Sequence, residues 1–287
     1  MKLGVSSYSF SRFLCDTKCG YERICDIAKE LGFEGIEFID LKNDKWGETD
    51  DDLLIAKRMR EYCAKIGLEI IAYTVGANFL ADDVDAQMAK LKHSVDVAAE
   101  LGAPIMRHDV VYNLRRIEGY TYKDAIKEVA PLVNEISDYA AKKGIKTCTE
   151  NHGFVFQAPE RVKELIDAVG NPNYGWLCDM GNFLCADCEP LESVKIAVPY
   201  VLHVHAKDFL WKDKECGQPA GFGITTLGGN FIRGTVVGHG VVPVKACIDH
   251  LAQKGYDDWV SLEFEGAEDN LKALEFGLAN LKKYCNL

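Results

Sequence analysis

Positive charge is scarce in this sequence: 33 Lys and Arg stand against 44 Asp and Glu, a net charge of −11. That balance disfavours nonspecific binding to nucleic acid or to an anionic membrane, both of which need a positive field. It leaves room for a local basic pocket. No run of about 18 apolar residues exists, so no transmembrane helix is expected. The first ten residues lack a basic stretch leading into a long apolar one, so no secretory signal is expected either. The first β-rich run leads into "SSYSFSRF" without a GxGxxG, and no Walker loop occurs anywhere. This speaks against an open, doubly wound nucleotide-binding sheet. No linker or low-complexity tract divides the chain.

The eleven cysteines are scattered and odd in number. A chain of this size needs no disulfide staples, so reduced thiols and a cytoplasmic location are expected. Cys185 and Cys188 have the spacing of a zinc knuckle. No second Cys or His pair nearby completes such a site, and both read as ordinary thiols.

What the sequence does contain is a repeated alternation. Eight β-rich runs, at 3–8, 35–38, 69–73, 104–107, 146–149, 174–178, 201–204 and 260–264, are separated by longer amphipathic stretches. In the stretch 21–31, Ile24, Ile27, Ala28 and Leu31 recur on one helical face. Gly32, Gly67, Gly102, Gly144 and Gly255 each end a helical stretch just before a β-rich run. That is where a left-handed residue stops a helix. The phrases "KELGFEGIEF", "KIGLEII", "ELGAPIM", "KKGIKTC" and "QKGYDDWVSL" therefore repeat one unit: helix end, glycine turn, buried strand. Eight such units in 287 residues predict an α/β fold, a single-domain (β/α)₈ TIM barrel. The longest departure, 208–242, is glycine-rich and reads as a long active-site loop.

In a parallel barrel the chemistry lies at the C-terminal ends of the strands. The fifth run ends in Thr149-Glu150-Asn151-His152, and the sixth in Cys178-Asp179-Met180-Gly181-Asn182. The seventh continues through His203-Val204-His205-Ala206-Lys207-Asp208, and the eighth ends in Glu263-Phe264-Glu265. Four consecutive strands thus deliver a carboxylate or an imidazole to one end. Converging carboxylates are unfavourable unless a cation neutralises them. Glu150, Asp179, His205 and Glu263 form a set of three carboxylates and one imidazole that suits one divalent metal ion, with Mn²⁺ favoured and Mg²⁺, Co²⁺ or Zn²⁺ compatible. The absence of thiolate argues against a closed structural zinc site. His203 and His205 share one strand face; His205 lies nearer the C-terminal end and is the expected ligand.

The segments "GVSSYSF", "GFEGIEF", "ENHG", "CDMGN", "HVHAKDF" and "SLEFEG" resemble motifs of the xylose-isomerase-like barrels, the sugar-phosphate isomerases and epimerases. The likeness runs along essentially the whole chain. It implies the same four metal ligands, and it implies that Glu150 and Glu263 double as an acid/base pair. It also implies a small carbohydrate substrate, and that a homodimer or homotetramer is common. Some ketose epimerases of the group carry a His three residues after the sixth-strand Asp, where this chain has Asn182.

Elementary chemistry agrees with the implied activity. A metal on a carbonyl and adjacent hydroxyl stabilises an enediolate, and flanking carboxylates can remove and return the α-proton. The expected function is therefore a metal-dependent isomerase or epimerase of a sugar, keto-sugar or sugar phosphate. A lyase or dehydratase acting on a keto-inositol or keto-glycoside would use the same first step. A phosphodiesterase of the endonuclease type needs a multi-metal cluster and a basic face, and a non-catalytic sugar-binding barrel needs no acid/base pair. Glu37, His108, His152, Asn182, Lys207, Arg233 and Glu265 are the expected substrate contacts. Tyr8, Phe10, Trp211 and Phe222 are candidates for an apolar wall.

Overall fold

The computed structural model describes residues 1–41 and 51–287. Eight short, buried strands close into one ring: β1 (Lys2–Ser6), β2 (Gly35–Ile39), β3 (Glu69–Val75), β4 (Ile105–His108), β5 (Lys146–Glu150), β6 (Tyr174–Asp179), β7 (Val201–Ala206) and β11 (Trp259–Leu262). All neighbours are parallel, and β1 pairs with both β2 and β11 to complete the closure. Parallel strands require crossovers, and helices supply them. These are α1 (Ser11–Thr17) and α2 (Tyr21–Leu31) after β1, then α3 (Asp52–Ile66), α4 (Val84–Leu101), α5 (Tyr122–Ala141), α6 (Pro159–Val169), α7 (Pro190–Ala197) and α8 (Val244–Gln253); α9 (Asn270–Tyr284) follows the last strand. The five glycines that end the repeated phrase all have positive φ, from 68° at Gly67 to 97° at Gly32. Side chains other than glycine avoid that region, so each helix stops where the next strand must begin.

Two cores result. The larger lies between the ring and its helices. The smaller fills the barrel itself, with Ala72, Ile105, Cys148 and Leu177 meeting Leu202. At the N-terminal end of the barrel a Cβ on Gly4 or Gly35 would fall 2.3 or 2.5 Å from the Ile71 side chain. Only the missing side chains let Ile71 and Trp259 plug that end. The polar inward residues are left for the opposite, C-terminal mouth.

The sequence predicts a long loop over 208–242; the structure folds part of it into a three-stranded antiparallel sheet. Its strands are β8 (Asp208–Lys212), β9 (Ile224–Thr225) and β10 (Phe231–Thr235), in the order β8-β10-β9. Asp208 staples its base: the carboxylate accepts from the backbone N–H groups of Phe209, Gly238, Gly240 and Val242 at 2.9–3.0 Å. The small sheet also meets the mouth, since Gly234 packs on Glu265 so closely that a Cβ there would sit 2.8 Å from its Cγ. Arg12 ties the first crossover to the segment after β11, donating to Asn270 Oδ1 and to the carbonyls of Gly266, Ala267 and Glu268. Among the described residues no helix is long and apolar enough to cross a membrane. The architecture is a single-domain (β/α)₈ TIM barrel.

Candidate metal centre and active site

Parallel register brings the ends of β5, β6, β7 and β11 to one level. Asp179 pairs with His205 across β6 and β7, and Glu150 with Leu177 across β5 and β6. Glu263 follows β11 directly. The side chains of Glu150, Asp179, His205 and Glu263 point inward, are all buried, and each places one donor atom within 4.8 Å of the others. His205 Nδ1 stands 3.9 Å from Glu150 Oε1, 3.8 Å from Asp179 Oδ2 and 3.5 Å from Glu263 Oε2. These separations are too long for hydrogen bonds. They suit donors that each lie about 2.0–2.2 Å from a shared ion.

Two orphaned atoms support that fit. Asp179 Oδ2 and His205 Nδ1 are buried without a hydrogen-bond partner, a condition that costs free energy unless something outside the chain satisfies it. The other Asp179 oxygen, Oδ1, is engaged by the N–H groups of Gly181 and Asn182 at 2.8 Å. Only Oδ2 is left for an ion. Asn151 fixes the neighbouring strand ends, donating to Asp179 O at 2.9 Å and accepting from Trp176 Nε1 at 3.1 Å.

Two cations flank the cluster, one for each glutamate. Arg107 Nη2 lies 2.8 Å from Glu150 Oε2 and 2.7 Å from Asp109 Oδ1. Lys207 Nζ lies 2.5 Å from Glu263 Oε2, 3.3 Å from Glu265 Oε2 and 3.5 Å from Asp179 Oδ2. Asn182 joins the two halves: Nδ2 donates to Glu150 Oε1 at 2.7 Å, and Oδ1 accepts from Lys207 Nζ at 3.3 Å. The glutamates are driven apart. Burial holds Glu150 above its ordinary value although Arg107 and His205 oppose it. Burial would also raise Glu263, but Lys207 and His205 override it and hold that carboxyl well below its ordinary value. Two carboxylates with divergent environments are what an acid/base pair requires.

The other expected contacts divide into groups. Asn182, Lys207 and Glu265 are at the cluster. His152 stands at its rim, half exposed, with Nδ1 2.9 Å from Asp109 Oδ1. Asp109 and the nearby Glu150 raise the His152 ring against the effect of burial. Glu37 lies deeper, against the rings of His203 and His205 at 2.8 Å each. Arg233 sits on β10 with its guanidinium 5.5 Å from the Phe222 ring centre. His108 is not brought to the mouth. It faces outward between Phe79 and Tyr174, and burial lowers its ring to about 4. Arg107 and Asp109 take its place. The alternation of "PIMRHD" carries that signal, because Arg107 and Asp109 are in phase with the inward Ile105. Of the proposed apolar wall, Phe10 is fully buried in the core. Tyr8 stands at the mouth, where burial and then Glu265 raise its phenol.

Over 185 residues the chain is 28% identical to an inosose dehydratase of Lactiplantibacillus plantarum, a match spanning 63% of this chain and 60% of that one. An L-ribulose 3-epimerase structure superposes with a TM-score of 0.76 at 17% identity, covering 100% of this chain and 95% of the other. The IOLI protein with a binding zinc atom also gives 0.76 at 17% identity, covering 100% and 98%. The family model described as xylose isomerase-like TIM barrel matches residues 25–284. Closed barrel, inward strand-end donors and that near-complete match together make this chain a member of the xylose isomerase-like TIM barrel family.

Proposed function

We propose that this protein is a divalent-metal-dependent isomerase or epimerase of a sugar, keto-sugar or sugar phosphate. One observation carries the reading: Glu150 and Glu263 enter one buried cluster from strands three steps apart in an eight-strand ring, with different charge partners. They therefore flank whatever occupies the centre. Glu150, Asp179, His205 and Glu263 would hold the ion, Mn²⁺ by preference, and when bound it withdraws charge from a carbonyl and its adjacent hydroxyl. Glu263, held ionised by Lys207, takes the α-proton; Glu150 returns one from the other side. Return to the same carbon gives an epimer, and return to its neighbour gives the aldose–ketose isomer. Asn182, Lys207, Glu265 and His152 bind hydroxyls at the mouth, with Arg233 as a contact from the small sheet. The eleven free thiols suit a reducing compartment, the cytoplasm.

A second reading is elimination from a keto-inositol or keto-glycoside. It is favoured by Lys207, whose ammonium lies between Glu263 and Glu265 and can protonate a departing oxygen. The match to an inosose dehydratase supports it as well. The metal-loaded protein incubated with candidate keto-sugars in D₂O separates the two. Recovered isomer with deuterium on carbon is the expected result. Loss of water or of an aglycone selects elimination. If Glu150→Gln and Glu263→Gln bind metal and leave turnover unchanged, the acid/base assignment falls.

A further inference from the structure

We infer that Glu37 is the positioning residue of the metal centre, fixing which ring nitrogen of His205 faces the ion; this rests on the metal-centre reading above. Glu37 is fully buried on β2 and has no surface for a substrate to touch. Its two oxygens serve two rings. Oε1 lies 2.8 Å from His205 Nε2, and Oε2 lies 2.8 Å from His203 Nε2. The other nitrogen of His205, Nδ1, is the one turned toward Glu150, Asp179 and Glu263.

A neutral imidazole carries one proton, and its location decides which nitrogen can donate a lone pair. An ionised carboxylate against Nε2 holds the proton there and leaves Nδ1 free as a ligand. His203 holds the second oxygen of Glu37 in a hydrogen bond at 2.8 Å, which keeps Oε1 turned toward His205. The two rings also meet edge to face, with centres 5.6 Å apart. Water has no access to replace a lost partner, because all three side chains are at most 1% exposed.

Glu37, His203 and His205 are also close enough to one another to hold an ion of their own. Glu37 Oε2 is already held in a hydrogen bond with His203 Nε2, however, and Oε1 lies in ion-pair contact with His205 Nε2, both at 2.8 Å. The inference therefore commits to one ion per chain, on the Nδ1 side of His205.

The test starts from the metal-free full chain titrated with Mn²⁺ by calorimetry. Wild type is expected to bind one ion. Glu37→Gln, which keeps the size and removes the charge, is expected to bind about 10–100-fold more weakly, the usual effect of losing a ligand's hydrogen-bond partner. His203→Gln, which still offers a donor to Glu37, is expected to retain most of the affinity. A second readout needs no variant: ¹⁵N–¹H correlation spectra of the Zn²⁺-loaded wild type should show His205 protonated at Nε2. A folded E37Q chain that binds Mn²⁺ as tightly as wild type overturns the inference while sparing the metal-centre reading. So does a proton on Nδ1, or a stoichiometry of two. If wild type binds no divalent ion, both fall together.

Discussion

Lys207 Nζ lies 2.5 Å from Glu263 Oε2 and 3.5 Å from Asp179 Oδ2, so a buried ammonium competes with a divalent ion for two of the carboxylates that ion needs. Lys207→Met should therefore separate binding from chemistry. Without the ammonium, Mn²⁺ affinity should rise by about tenfold, a modest part of the ~4 kcal/mol that unit charges 4 Å apart exchange at an effective dielectric near 20. Turnover should fall by about 10²-fold or more, as when a positioned proton-transfer group is lost. Calorimetry and the deuterium-incorporation assay measure the two effects. A variant that loses metal affinity and turnover together would show Lys207 to be part of the scaffold alone.

The barrel was legible because its signals are local. Gly32, Gly67 and Gly102 punctuate the chain, and the helix and strand periods change across each of them. The structure brings Glu150, Asp179, His205 and Glu263 together because register in a parallel ring follows from strand ends, which the motifs mark. Arg107 was harder to see. In "MRHD" both Arg107 and His108 are polar, and only the phase set by Ile105 tells inward from outward. The depth of Glu37 was not legible at all. Alternation gives the face of a strand but not the height along the barrel axis, and a register shift between Ile36 and Glu37 alters the pairing there. The small sheet over the mouth was hidden because its strands β8 and β10 pair across a glycine-rich excursion.

Metal removal gives a second prediction. Asp179 Oδ2 is buried without a hydrogen-bond partner, while Oδ1 is held by two backbone N–H groups. Asp179→Asn can keep the Oδ1 bonds and replace the ligating oxygen by an NH₂ group. The variant should fold, yet lose the rise in Tm that Mn²⁺ gives to wild type. That rise corresponds to about 2.7 kcal/mol when the ion is at 100 times its Kd. Thermal melts with and without Mn²⁺ check it; equal stabilisation of both proteins would remove Asp179 from the ligand set.

A third prediction concerns acid. Asp124 closes a capping box at the start of α5, and the Thr121 hydroxyl, then Lys127, lowers its carboxyl to about 2. A carboxyl depressed in the folded state stabilises it above the unfolded value. That contribution fades as pH falls toward the folded value. Asp124→Asn should therefore lower the melting temperature slightly at pH 7, and the gap to wild type should close near pH 2. A gap that stays constant with pH would mean that charge plays no part in the cap.

The last prediction tests how the small sheet is held over the mouth. Asp208 accepts from Phe209 and Val242 through Oδ1, and from Gly238 and Gly240 through Oδ2. Asparagine supplies only one oxygen, and its NH₂ group would face two N–H donors. Each buried donor left unmatched costs about 1–3 kcal/mol. The loss is local, because the barrel strands do not depend on these bonds. Asp208→Asn should therefore speed amide exchange at Gly238, Gly240 and Val242, leaving β4–β6 as protected as in wild type. Since Gly234 packs on Glu265, a loosened sheet should also raise KM more than it lowers kcat. Hydrogen exchange read by mass spectrometry decides the structural half. Unchanged protection at those amides would mean that the sheet is held by the packing of its Phe209 and Ile232 with Cys185 rather than by the Asp208 staple.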